Sequence, residues 1–204
     1  MRHQPMTSRR ATACGLAALL LLTAPLAAGA KWSRADADAF HAKLVQIATH
    51  ALGEKRAARS TTVLEREVNA YIAVHGKADL PAGVVDPEIT ILPDGRLTGR
   101  AIVDLDAVRD AQQRGMLSPW AFLRGTTPVE AIGRLRTAKG VGAFTLESAT
   151  VGGIPVPKTV LQELVSHYSK SASNPAGINI EAPFRLPANI LEIRTTQGRA
   201  LVVQ

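Results

Sequence analysis

A single thiol, Cys14, is all the cysteine the chain has. It stands just ahead of a short apolar run near the start. The rest of the chain therefore has no disulfide and no thiolate chemistry, and must be held together by packing. Catalytic signatures are missing as well. There is no G-x-S-x-G, no P-loop, no H-E-x-x-H and no Gly-rich dinucleotide turn; the G-x-G of "GVGAF" closes a hairpin rather than opening a helix. His41, His50, His75 and His167 are too scattered for a metal set, and His75 reads as a capping or structural residue at a helix end. The pairs Glu65/Glu67 and Asp104/Asp106 have i, i+2 spacing, which on a helix points them apart, while the second pair suits a helix start. No catalytic group, metal or cofactor is predicted.

Aromatic residues are scarce. Four Phe, two Trp and two Tyr leave Val, Leu, Ile and Ala to line any interior. Such walls suit a methylene chain better than a flat ring, and they equally suit an ordinary filled core. Charge of one sign is also modest. Removing Arg2, Arg9 and Arg10 with the leader described next takes the net charge from +7 to +4. That excess is mild for a nucleic-acid binder and compatible with an anionic lipid surface.

The first thirty residues read as a signal peptide: a basic start, a short apolar run around Gly15 to Leu22, and Ala28-Gly29-Ala30 as a cleavage site before Lys31. The run is short for a membrane span and Pro25 interrupts it. Ordinary secretion is favoured over the twin-arginine route, since no large apolar residue follows Arg9-Arg10. The prediction is a periplasmic or secreted protein whose residues 31–204 form one domain.

That domain opens with a helix capped by Ser33, with Phe40, Leu44, Ile47 and Leu52 as its stripe. "GEKRAARS", 53 to 60, is a basic connector. A second helix is predicted from Thr62, with Thr62 and Glu65 at capping-box spacing and Gly76 as the stop. After Pro81 the period changes to two. "EITIL", "PDGR" and "LTGRAIVDL" read as a hairpin, followed by a short helix over 105–114. A second hairpin turns around "KGVG", with Val129, Ala131 and Leu135 on an apolar face and Glu130, Arg134 and Arg136 on a wet one. Gly152-Gly153 gives a tight reversal into a helix over 157–168, and "ILEIRTTQGRALVV" is a closing hairpin. The halves echo one another: "TVLEREVNAY" at 62–71 matches "TVLQELVSHY" at 159–168, and each is followed by Leu-Pro-Ala and a hairpin.

"TVLEREVNAYI", with Glu67-x-Asn69-x-Tyr71, resembles the Glu-x-Asn-x-Tyr helix of bacterial envelope proteins of the tubular lipid-binding superfamily, related in fold to bactericidal/permeability-increasing protein. "LPAGV…ITILPDGRL", "LESATVGGIPVP" and "LPANI…IRTTQGRALVV" are similar to further segments of those families. The resemblance spans roughly residues 60 to 204. It implies an α+β fold in which a curved antiparallel sheet packs on amphipathic helices, here a half-pipe with open ends, and a non-enzymatic protein binding a lipid or other acyl-chain ligand. On this reading Asn69 satisfies backbone beside the sheet, Val68, Tyr71 and Ile72 face the groove, and Leu161, Leu164, Val165 and Tyr168 line it from the second helix. The alternative is a structural or protein-interaction module of the cell envelope, with a filled core and no ligand. "MLSPWAFL", 116–123, is the densest apolar connection. It reads either as folding back on the core or as a lid whose Trp120 and Phe122 touch the membrane.

Overall fold

The computed structural model describes residues 31–53, 57–111, 124–168, 175–177 and 179–204, all within the unit Lys31–Gln204. Among them four helices and nine strands, every strand pair antiparallel, make an α+β fold. Helix α1, Arg34–Leu52, starts with the Ser33 carbonyl accepting the Ala37 N–H at 3.1 Å. The Ser33 hydroxyl makes no capping bond, contrary to the sequence prediction. Ala37 and Ile47 are buried and Phe40 packs beside them, whereas Leu44 and Leu52 from the predicted stripe are exposed, Leu52 at 86%. Leu52 is the last residue of the helix.

The next element corrects the sequence reading. Ser60–Leu64 is a strand, β1, and helix α2 begins only at Glu65, running to Val74. The Thr62 to Glu65 spacing is that of a capping box, but Thr62 lies opposite Leu201 in a ladder that β1 forms with β9, Arg199–Val203. Five ladder pairs outweigh one cap. The helix is capped instead by Glu67, whose carboxylate accepts the Leu64 N–H at 2.9 Å and binds Lys43 of α1 at 2.6 Å. His75 follows as the C-cap, its N–H on the Tyr71 carbonyl and its Nε2 2.8 Å from Asp38 Oδ1.

Strand β8, Glu192–Thr196, completes a three-stranded sheet in the order β1-β9-β8. Against it sits the buried cluster: Ile47 of α1, Val63, Leu186, Ile190 and Val202. The larger sheet runs β2 (Val84–Ile91), β3 (Arg96–Asp104), β4 (Thr126–Ala138), β5 (Val141–Val151) and β6 (Ile154–Pro155), with β7 (Phe184–Arg185) also paired to β5. Its two long hairpins turn as predicted. Asp94 and Gly95, then Lys139 and Gly140, all have positive φ, which two-residue type I′ turns require. Asp104 Oδ1 accepts the N–H groups of Asp106 and Ala107 and so caps helix α3, Leu105–Ala111. The last helix, α4, is Lys158–Tyr168.

The echo between the halves is therefore sequential more than structural. Thr62-Val63-Leu64 is strand, because β9 lies beside it, whereas Thr159-Val160-Leu161 is helix. The two helices sit at different places along the larger sheet, α2 along β2 and α4 beside β5.

Both sheets are held at their edges by side chains acting as strands. Asn69 donates to the Ile89 carbonyl at 2.8 Å and accepts the Ile89 N–H at 2.7 Å. One turn earlier Glu65 accepts the Ile91 N–H at 2.7 Å. Thr137 does the same for Ile193, accepting its N–H and donating to its carbonyl, and Thr195 joins Gly95 N–H and Leu92 carbonyl. These contacts satisfy backbone groups that an edge would otherwise leave unpaired.

One face of the larger sheet is ionic. Arg96 and Arg134 stand directly opposite each other across β3 and β4, a repulsive placement. Glu147 is the extra residue of a bulge in β5, and its two oxygens meet Arg96 at 3.0 Å and Arg134 at 3.1 Å. Burial pushes the Glu147 carboxyl upward, but the hydrogen bonds and charges of Arg134 and Arg96 together hold it below the ordinary 4.5. A depressed carboxylate stabilises the fold above its unfolded value and loses that contribution as pH falls through the folded value. Glu147→Gln should thus melt lower than the unaltered protein at neutral pH, and the gap should close in melts taken progressively below pH 4.5.

Candidate functional site

The opposite face of the larger sheet carries no charge in its central rows. Strand alternation and register fix which residues share it. One row is Ile91, Leu97, Gly133 and Leu146, crossing from β2 to β5. The next is Ile89, Gly99, Ala131 and Ala149, and a third is Ala101, Val129 and Val151, continued by Ile154 of β6. The middle row is small throughout its last three members. Leu97, Leu146 and the Phe144 ring over Gly133 flank it on one side and Ala101, Val129 and Val151 on the other, so the three small residues form a shallow trough running across the strands for about 10 Å, two inter-strand spacings.

The trough is open. Among the described residues a Cβ placed on Gly99 would meet nothing within 4 Å. Gly133, one row away, is the opposite case, because the Phe144 ring lies on it and a Cβ there would stand 2.1 Å from that ring. Ile91, Gly133, Leu146 and Ala149 of these rows are buried and the others half-buried or exposed, and the buried cluster belongs to the smaller sheet and α1. A broad apolar surface thus lies outside the closed core.

Its two margins differ. Along β2 runs α2, fastened by Glu65 and Asn69. Beside β5 runs α4, and between them is a cavity of about 440 Å³ with Leu146 at its floor and Lys158, Thr159, Gln162, Glu163 and residues 179–181 around it. Gln162 accepts the Ile180 N–H at 2.9 Å, and Lys158 pairs with Glu181, so polar side chains tie α4 to the segment that follows it.

The predicted groove residues are not gathered into one place. Val68 packs on the buried cluster of the smaller sheet. Tyr71 stands among Phe40, His41 and His75, with ring centroids 5.3–6.2 Å apart, and Ile72 is half-buried beside it. Leu161 and Val165 are half-buried on α4, while the side chains of Leu164 and Tyr168 lie outside the described residues. Trp120 and Phe122 also lie outside them, with the whole of 116–123. Asn69 occupies the backbone-satisfying position that the resemblance implies. Among the described residues no cluster of His, Cys, Asp or Glu has metal-binding geometry, and no helix is long and apolar enough to cross a membrane.

The chain was compared with protein-family models, with curated proteins and with solved structures. None matches it. The site must therefore be read from its own geometry. What the sequence reasoning missed is the small-residue row, since Gly99, Ala131 and Ala149 sit on three different strands and become neighbours only through the register.

Proposed function

We propose that the protein is a non-enzymatic holder of a lipid or other acyl-chain ligand, bound on the apolar face of the larger sheet, and that it works in the periplasm or outside the cell. The observation that carries this reading is the trough over Gly99, Ala131 and Ala149, apolar on both flanks and open above Gly99. Bulges at Glu147 in β5 and near Asp86 in β2 bend and twist the strands that form it. That favours a half-pipe of the tubular lipid-binding kind, with α2 and α4 as its walls and Leu161 and Val165 contributed by the second. A chain laid along about 10 Å of trough contacts roughly eight methylenes, and at about 0.8 kcal/mol each their burial gives on the order of 6 kcal/mol before ordering costs.

Two measurements test this. Native mass spectrometry and solvent extraction of the purified protein should reveal a bound apolar molecule. A fluorescent fatty acid should bind one-to-one, with emission shifted by an apolar surrounding. Protein that is repeatedly empty and leaves the probe's emission unchanged would favour the envelope structural module, with partner protein covering the apolar face.

A further inference from the structure

At one end of the larger sheet the β4–β5 hairpin projects past its neighbour β3, whose ladder with β4 reaches only Arg134. Three segments converge on the hairpin tip. Arg185 of β7 lies opposite Val141, which lies opposite Ala138, placing the three in one row about 10 Å wide. Gly140 donates to the Leu191 carbonyl and accepts the Leu186 N–H. Asn189, two residues before Leu191, holds the Ala51 carbonyl at the end of α1.

The surface so assembled is cationic and apolar together. Arg136, Lys139 and Arg185 are exposed, and among the described residues none has an acidic partner. Glu192, beside Leu191, is already held by Arg194 at 2.7 Å and does not neutralise them. Near these charges Val141, Leu191 and Leu52 are exposed, at 42%, 50% and 86%, and Phe184 is 44% exposed with its ring lying on Gly142. A shallow depression of about 280 Å³ lies between Arg136 and Val141. Among the described residues eight other cations are held by carboxylates, Arg96 and Arg134 by Glu147 among them. Unpaired cations around protruding aliphatic side chains match a surface that offers phosphate outside and hydrocarbon just beneath. An acidic protein would match the charges but would leave the four apolar side chains facing a polar partner.

We infer that this tip docks on an anionic lipid bilayer, with Arg136, Lys139 and Arg185 at the phosphates and Val141 and Leu191 entering the interfacial layer. Docking does not require a ligand in the trough, so it can be tested whether or not the proposed function holds.

The test is co-sedimentation of the protein with vesicles of equimolar phosphatidylglycerol and phosphatidylcholine, against vesicles of phosphatidylcholine alone. Binding should need the anionic lipid and weaken with added salt. The triple change Arg136→Ala, Lys139→Ala, Arg185→Ala should weaken it roughly 100-fold, the loss expected for three interfacial charges. Lys31→Ala, Arg66→Ala, Arg100→Ala removes the same net charge from cations that are already paired, and should change it little. A second readout does not depend on the triple variant folding. In a Cys14→Ser background, an environment-sensitive dye on Val141→Cys should brighten with anionic vesicles, whereas the same dye on Ile102→Cys, exposed on the ionic face at the far end of β3, should not. Absence of binding to either vesicle, equal loss in the two triple variants, equal dye response at both positions, or binding to a soluble polyanion as tight as to vesicles would each overturn the inference.

Discussion

Asn69→Leu is expected to lower the melting temperature by about 10 °C, although Leu is apolar, similar in size and a better helix former. Asn69 is 1% exposed and closes both backbone groups of Ile89 on the outer edge of β2. The substitution removes both bonds and lays a hydrocarbon surface over the abandoned N–H and carbonyl, so water cannot replace the amide. Each buried unsatisfied group costs about 1–3 kcal/mol, giving about 3 kcal/mol in total. A chain of this size melts about 2–4 °C lower for each kcal/mol lost. Arg66→Ala, which breaks an exposed pair with Asp36, is the contrast and should change stability by less than about 1 kcal/mol. Equal small effects from the two changes would mean that the amide does not fasten helix to sheet.

Gly99→Trp should do the reverse, leaving stability nearly intact while removing ligand uptake. Gly99 has no positive φ, so a larger residue is not strained there, and a Cβ on it would meet no described atom within 4 Å. An indole in the trough would exclude about five methylenes of a bound chain. At roughly 0.8 kcal/mol each, that weakens binding on the order of 1000-fold. Titration of the fluorescent fatty acid, beside a thermal melt, reads both quantities. A filled core predicts the opposite pattern, with overpacking costing about 1–3 kcal/mol. Gly133→Val is the internal comparison. Its side chain would run into the Phe144 ring, so it should destabilise whichever reading holds.

What could be read in advance follows from the range of the interactions involved. Asp94-Gly95 and Lys139-Gly140 are local turn signals between alternating segments, and both hairpins stand where they were predicted. Asp104 also acts locally, through bonds to the next two or three residues. The start of α2 was misread because a local capping pattern at Thr62 competes with a partner strand at the far end of the chain, which the pattern cannot register. The same limit hid the trough and the roles of Glu65, Thr137 and Thr195. Each of these depends on which backbone groups a distant strand leaves unpaired.

The ladder between β1 and β9 has a consequence in time. The hairpins of the larger sheet close short loops and can form early, but the buried cluster needs Val63 beside β1 and Val202 from the last strand together. Until β9 has been made and is free to pair with β1, this buried cluster cannot assemble. Local hairpins that form first can therefore still unravel at little cost, and the step that locks them comes last.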